Sequence, residues 1–370
     1  MKKLSLAVGF VGLFIIAVGL IFREQIIATI FSPTNSDVKT KNRSINTVDP
    51  IASNLTTPWS IAFLPGANSD TQDMIITERE GKLTRIGQNG QTIEIEGVKE
   101  TSEGGLLGVA IDPEFEQNAF IYLYYTTERS GSLTNQVDRY IFRDSAVSDR
   151  QVIIDAIPAA SNHNGGAIVF GPDEKLYITT GDAAQEKLAQ DKESLAGKIL
   201  RLNKDGSTPS DNPFGNKVWS YGHRNPQGIA WDEQGQLWGV EHGPSGPQSG
   251  NDELNKIEKG GNYGWPEIVG TQEKSGMINP VVESGTDDVW APSGMAYLNS
   301  SLYFAGLRGQ ALYEYDIEKQ SLTRSFVEEF GRLRAVTANG NSLYISTSNR
   351  DGRGSPIGED DRILRINIDN

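Results

Sequence analysis

No cysteine occurs among the 370 residues. Disulfides, thiolate metal sites and cysteine nucleophiles are excluded together. Positive charge is also short, with 34 Lys and Arg against 48 Asp and Glu and a net charge of −14. A nucleic-acid partner is therefore not expected, because phosphate recognition needs a basic face. Only three His are present; they lie far apart, with no thiol to complete a zinc set. The chain has no P-loop, no Gly-x-Gly-x-x-Gly opening a helix and no Gly-x-Ser-x-Gly elbow. Nicotinamide and serine-hydrolase chemistry thus lack their usual cradles.

What is there begins with one long apolar run. Lys2 and Lys3 precede an uncharged stretch from Leu4 to Phe22, and Arg23 follows it. This run is long enough to span a bilayer as a helix and exceeds the usual signal-peptide core of roughly 7–15 residues. The reading is an N-terminal transmembrane helix within residues 1–31, with the Lys pair inside and the rest of the chain on the extracytoplasmic (periplasmic) side. A cleaved signal peptide is the alternative, and the protein would then be secreted. Residues 32–50 are polar and read as a tether; residues 51–370 read as the folded domain.

That domain repeats. Apolar strands at Trp59–Phe63, Leu106–Ile111, Ala167–Phe170, Gly228–Trp231, Ser293–Tyr297 and Leu333–Thr337 begin roughly 40 to 65 residues apart, the spacing of propeller blades with insertions. A turn follows most of them, then a second strand, such as Met74–Thr77, Leu176–Thr179 or Leu343–Ser346, and usually a third. Past the apolar run no stretch holds a convincing helical period. Short β-branched and aromatic strands divided by Gly, Pro, Asp and Asn predict an all-β fold. Six copies predict a six-bladed β-propeller, since each small sheet can bury its faces only against its neighbours. The piece Val48–Leu55 is expected to supply the outer strand of the last blade and latch the ring.

Loops following the second strands depart from the repeat: Glu78-Arg79, Gly181-Asp182, Glu241-His-Gly-Pro244, Gly306-Leu-Arg308 and Ser348-Asn-Arg-Asp351. Equivalent positions of successive blades share one end of the channel, so these loops should meet in one pocket. His163, in Asn162-His-Asn-Gly-Gly166, has the intrinsic pKa of a general base; a structural role in its loop is the alternative. Arg224, Arg308, Arg332 and Arg334 fall at the same end and suit an anionic ligand, unless they form salt bridges between blades. Glu241-His-Gly-Pro244, leading to Asn251-Asp-Glu253, is rich in oxygen and exposed carbonyls, which favour calcium among hard cations.

Taken together, Asn162-His-Asn-Gly-Gly166, Gly222-His-Arg-Asn-Pro-Gln-Gly228, Glu241-His-Gly-Pro244, Gly260-Gly-Asn-Tyr-Gly-Trp-Pro266 and Gly331-Arg-Leu-Arg334 resemble the soluble quinoprotein glucose/sorbosone dehydrogenases, in particular their aldose sugar dehydrogenase branch. The resemblance runs from about Asn54 to Ile368. It implies a propeller that binds pyrroloquinoline quinone (PQQ) and Ca2+ and oxidises an aldose at C1 to the lactone, passing the electrons to an external acceptor the sequence does not reveal. By motif, His163 resembles the base that takes the C1 hydroxyl proton. Arg224 resembles the residue that polarises the quinone carbonyl, with Asn225 beside it; Arg332 and Arg334 resemble those facing the cofactor carboxylates. Gly243 and Pro244 resemble carbonyl ligands of the active-site calcium, and Asp252, Glu253 and Tyr263 lie where relatives bind a second calcium.

Three departures stand out. Glu103 replaces a Gln of several relatives and adds negative charge near the base, which would raise the base's pKa. Asn162 replaces an Asp, so an orienting charge is expected to be missing. Leu307-Arg308 replaces a Lys-Arg pair, leaving that cofactor contact to Arg308 or absent. Two other readings remain on the same scaffold: a non-catalytic sugar- or protein-binding propeller, and a calcium-dependent sugar lactonase.

Overall fold

The computed structural model describes residues 30–44, 48–66, 73–87, 90–245 and 250–368. The apolar run Leu4–Phe22 lies outside these. Among the described residues no helix is long and apolar enough to cross a membrane.

Six sheets follow one another around a ring, as the repeat predicts. Two short strands come first in the chain, β1 (Lys39–Thr40) and β2 (Val48–Ala52). The first blade then holds β3 (Pro58–Phe63), β4 (Met74–Glu78), β5 (Lys82–Ile86) and β6 (Thr92–Glu94). The second holds β7 (Leu106–Ile111), β8 (Phe120–Arg129), β9 (Ser132–Arg143) and β10 (Ala146–Pro158). The third is β11 (Ile168–Phe170), β12 (Leu176–Thr180), β13 (Lys198–Leu202) and β14 (Val218–Tyr221); the fourth is β15 (Pro226–Trp231), β16 (Leu237–Glu241), β17 (Glu253–Ile257) and β18 (Val282–Glu283). The fifth is β19 (Pro292–Leu298), β20 (Ser301–Gly306), β21 (Ala311–Asp316) and β22 (Ser321–Ser325), and the sixth is β23 (Leu333–Asn339), β24 (Ser342–Thr347) and β25 (Ile363–Asn367). Within each blade consecutive strands pair antiparallel.

The innermost strand of every blade lines a central cavity of about 320 Å³, with Ile61, Ala110, Ile168, Ile229, Met295 and Val336 each facing it from a different blade. Between blades the core is continuous. Trp59 from the first blade, Leu107 and Tyr124 from the second, and Ile178 and Leu200 from the third share one cluster. Burying each such side chain contributes about 1.5–3 kcal/mol. A lone four-stranded sheet has no such partner, so closure of the ring is where most of the burial comes from.

The latch forms where the sequence places it. Val48, Asp49 and Pro50 pair with Ile366, Arg365 and Leu364 across β2 and β25, and Leu55 and Asp361 exchange both backbone hydrogen bonds at 3.0 Å. The polar stretch 32–50 was expected as a tether; its described parts instead lie against the propeller. Lys39 and Thr40 add a parallel fifth strand to the fifth blade, opposite Thr323 and Arg324. Lys41 and Arg43 both bind the Glu314 carboxylate, at 2.7 and 2.8 Å. The physical reason is that β22 presents an unpaired edge and Glu314 an unsatisfied carboxylate, and the basic segment meets both.

Candidate active site

Because the first two strands of a blade are antiparallel, the chain enters the first and leaves the second at the same end of the ring. The loops before β7, β11, β15 and β23 therefore meet those after β16, β20 and β24 around a cavity of about 790 Å³, within the usual range for ligand sites. Glu103, Asn162, His163, Arg224, Arg308 and Arg332 line it, with Gly243 and Pro244. Four guanidiniums, those of Arg224, Arg308, Arg332 and Arg353, face it against the two carboxylates of Glu103 and Asp252. On a chain with a net charge of −14, this local excess marks a place for an anion.

His163 is held from every side. Its backbone has a φ of 58°, and its N–H donates to Glu103 Oε2 at 3.1 Å. The ring Nδ1 lies 2.7 Å from Asp182 Oδ1, and Nε2 lies 2.9 Å from Arg224 Nη2. A carboxylate accepts only, so Nδ1 carries the hydrogen and Nε2 presents its lone pair to the guanidinium. Asp182 is itself fixed by Trp265 Nε1 at 2.9 Å and by the Ala184 N–H at 2.8 Å. Burial works against its charge, yet the hydrogen bond and charge of His163, with Trp265 and the Ala184 amide, hold the carboxyl below its ordinary range. Gly181 permits this packing: a Cβ there would sit 2.0 Å from the His163 carbonyl oxygen.

Two expectations are corrected here. The charge that orients His163 is not missing because residue 162 is Asn; Asp182 delivers it from the end of β12. Nor does Glu103 stand as a free charge beside the ring. It is turned onto the His163 backbone and neutralised by Arg353 Nη1 at 2.8 Å. Burial opposes its ionisation, but Arg353, His242 and the His163 N–H bring its pKa down to about 2.

Arg224 is placed by its own backbone, whose N–H donates to Glu241 Oε2 at 2.8 Å and whose carbonyl accepts from Asp182. Its guanidinium lies over the Trp265 ring at 5.3 Å and donates to Ser245 Oγ at 2.5 Å. Burial lowers its pKa. Beside it Asn225 Oδ1 accepts from the Gly165 N–H at 2.9 Å, which fixes the loop carrying His163. Arg332 grips Asp351 Oδ2 through Nε and Nη2, at 3.1 and 2.8 Å. Arg334, 3.6 Å from the same oxygen, is buried under the cavity rather than on its wall, and burial brings its pKa down to about 10. One carboxylate thus serves two guanidiniums. Burial works against Asp351, but the Arg pair brings its pKa down to about 2. Arg308 reaches the cavity as well, with Nε donating to the Ser32 carbonyl at 3.2 Å.

The oxygen-rich residues divide into two places. Gly243, Pro244 and Asp252 line the cavity. Asp252 accepts from the Gly243 and Ala291 N–H groups, at 2.9 and 2.8 Å, and burial pushes its pKa up to about 6. Glu253, next in sequence, turns away and accepts from Asn255 Nδ2 at 3.0 Å, beside Glu241 and Glu283. Successive side chains of an extended segment take opposite faces, so Asp252 and Glu253 do not converge on one ion. Tyr263 has its hydroxyl spent between the Glu258 N–H and the Lys256 carbonyl, each at 2.7 Å, and its ring stacks on His223 at 4.6 Å. Among the described residues no three His or acidic side chains converge to hold a metal. A cation at the cavity would therefore take backbone carbonyls and oxygens of the ligand.

Sequence reasoning assigned no role to Asp182, Asp351, Trp265 or Arg353. Asp182 and Asp351 had stood among the irregular loops after the second strands, which was the available signal. Their partners His163, Arg332 and Arg334 lie across the same blade, before or within its first strand, and Trp265 comes from the next blade.

An imidazole oriented by a carboxylate and facing guanidiniums, at the mouth of a propeller channel, defines an enzyme site for an anionic ligand. The model of the family described as glucose / sorbosone dehydrogenase matches residues 55–364. The chain belongs to that family, and it is a quinoprotein sugar dehydrogenase. It is 35% identical to the aldose sugar dehydrogenase YliI of Escherichia coli, over 84% of this chain and 88% of that one. Among solved structures it resembles the PQQ-bound aldose sugar dehydrogenase of Streptomyces coelicolor, with a TM-score of 0.79 and 37% identity over 91% of this chain and 99% of that one. A putative oxidoreductase (glucose dehydrogenase) of Thermus thermophilus has a TM-score of 0.78 and 41% identity, covering 86% and 99%.

Proposed function

We propose that the protein oxidises aldose sugars at C1 to the lactone, with PQQ and calcium in the cavity and His163 as the general base. The observation that carries this reading is the Asp182–His163–Arg224 line, which fixes the hydrogen on Nδ1 and sets the Nε2 lone pair against the Arg224 guanidinium at the wall of a cationic cavity. Fit to the cofactor is supported by two polar atoms on the cavity's lining residues, Arg224 Nε and His242 Nε2. Both are sealed from solvent and have no partner. An unsatisfied buried polar atom costs about 1–3 kcal/mol, a cost that a polar ligand removes.

When bound, PQQ supplies the hydride acceptor and calcium polarises it. The protein's own residues do the rest. His163 Nε2 takes the proton from the sugar's C1 hydroxyl, and Asp182 stabilises the imidazolium so formed. Arg224 presents a donor beside that lone pair. Arg332 and Arg308, on the cavity wall, would hold the anionic groups of the cofactor, with the buried Arg334 adding positive charge. Gly243 and Pro244 offer carbonyls for calcium. Glu103 and Asn225 hold the one loop that carries His163, at the His163 and Gly165 N–H groups. A lactonase or a binding propeller has no use for a base oriented in this way among guanidiniums.

One further placement belongs to the proposal. The propeller lies outside the cytoplasm, held by the apolar run Leu4–Phe22, a placement supported by the Lys pair before that run and Arg23 after it.

The test is reconstitution. Apo-protein given PQQ and Ca2+ should reduce an artificial electron acceptor when an aldose is added, and His163→Gln should abolish turnover while PQQ still binds. Failure to reduce the acceptor with any aldose, or full activity in the variant, would refute the proposal.

A further inference from the structure

The N-terminal arm does more than add a strand. Ahead of β1 it runs onto the active-site face, where Ile30 and Phe31 line the same cavity as His163, Arg224 and Arg332. Several contacts hold it there. Thr34 Oγ donates to Asp288 Oδ1 at 3.0 Å and accepts from the Val289 N–H at 2.8 Å. Val38 packs into the core cluster that contains Trp290. The Ser32 carbonyl meets Arg308, and the Phe31 ring lies under the Arg353 guanidinium at 5.4 Å. That guanidinium holds Glu103, which in turn holds the His163 backbone. Ile30, by contrast, is 58% exposed.

Most other groups around the cavity are charged or polar, and they account for the base and for an anionic cofactor. An aldopyranose brings a different requirement: hydroxyl groups round its edge and a face of C–H bonds. An apolar face of that kind is best met by a flat ring held rigidly at a mouth. The half-buried Phe31 is such a ring, fixed on one side by Arg353.

We propose that Phe31 is a specificity-determining residue, and that the N-terminal arm completes the active site by giving the sugar an apolar platform opposite the polar wall. The arm's anchor Thr34 acts as a positioning residue for that ring. This rests on the dehydrogenase reading above and adds to it a sugar contact made by residues 30–34, outside the 55–364 span that matches the family.

The experiment uses the full chain loaded with PQQ and Ca2+, with steady-state rates on D-glucose, D-xylose and maltose. Losing an aromatic contact should raise KM about three- to tenfold. Phe31→Ala should do so with kcat within about twofold, and Phe31→Trp should keep KM close to the wild type. Thr34→Val, which touches no substrate, should shift KM in the same direction as Phe31→Ala. PQQ affinity, read by absorbance titration, and Tm should stay at the wild-type value in Phe31→Ala. An unchanged KM in Phe31→Ala overturns the inference, as does a variant in which KM, PQQ affinity and Tm all worsen together. A wild type that turns over no aldose overturns the dehydrogenase reading first, and this inference with it.

Discussion

Asp182→Asn isolates the orientation of the base from everything else in the site. The side chain keeps its shape but loses its charge. Asp182 now accepts from three donors, His163 Nδ1, Trp265 Nε1 and the Ala184 N–H. An amide presents one oxygen and one NH2 group, so at least one of the three loses its acceptor or meets a second donor. A hydrogen bond to a charged group contributes about 1.5–3 kcal/mol, and the whole of that term is needed when the imidazole carries the proton. A loss of about 3 kcal/mol at the transition state lowers kcat roughly a hundredfold; a flip of the tautomer, putting the hydrogen on Nε2, would lower it further. The assay is kcat against pH in PQQ-loaded enzyme. The plateau should fall by two orders of magnitude or more. Asp182 does not line the cavity, so PQQ affinity should stay within about threefold. If kcat is unchanged, or if kcat and PQQ affinity fall in proportion, Asp182 is not what readies the base.

Other outcomes follow from the same geometry. Arg332→Ala should weaken PQQ binding and lower Tm, since it strips Asp351 of its bidentate partner; adding Asp351→Asn should recover Tm but not affinity, as calorimetry and cofactor titration would show. For Glu103, the folded pKa of about 2 lies below the ordinary 4.5. Its ionisation therefore adds up to about 3 kcal/mol of stability above pH 4.5, lost as pH falls toward 2. The gap in denaturant-unfolding stability between wild type and Glu103→Gln should be constant near neutrality and close in acid; a gap independent of pH would contradict this. Calcium removal by a chelator should lower Tm, as calorimetry with and without the chelator would show.

The repeat is legible in the sequence because each blade obeys local rules. Strand alternation, turn residues and a latch of matching polarity show in Trp59–Phe63, Leu176–Thr179 and Val48–Leu55 without knowledge of neighbours. His163 and the Arg residues were legible as well, since a rare residue type in a loop that breaks the repeat stands out against an acidic background. The direction in which a side chain points was not. Asp252 and Glu253 read as one oxygen-rich pair, whereas extended backbone sends them to different places. Glu103 read as a charge beside the base, whereas Arg353, 250 residues on, takes that charge up.

What the chain alone determined was the number of blades, the order of the loops and the chemical types brought to one end of the ring. Which partner each group meets was decided by ring closure. Asp182 and Arg224 reach His163 from separate loops, and Phe31 reaches the cavity although the sequence reads it as the last residue of the anchor segment 1–31. Hydrogen-bond partners set by the curvature of a closed ring depend on distances between segments remote in sequence, and no local pattern of residues encodes those distances.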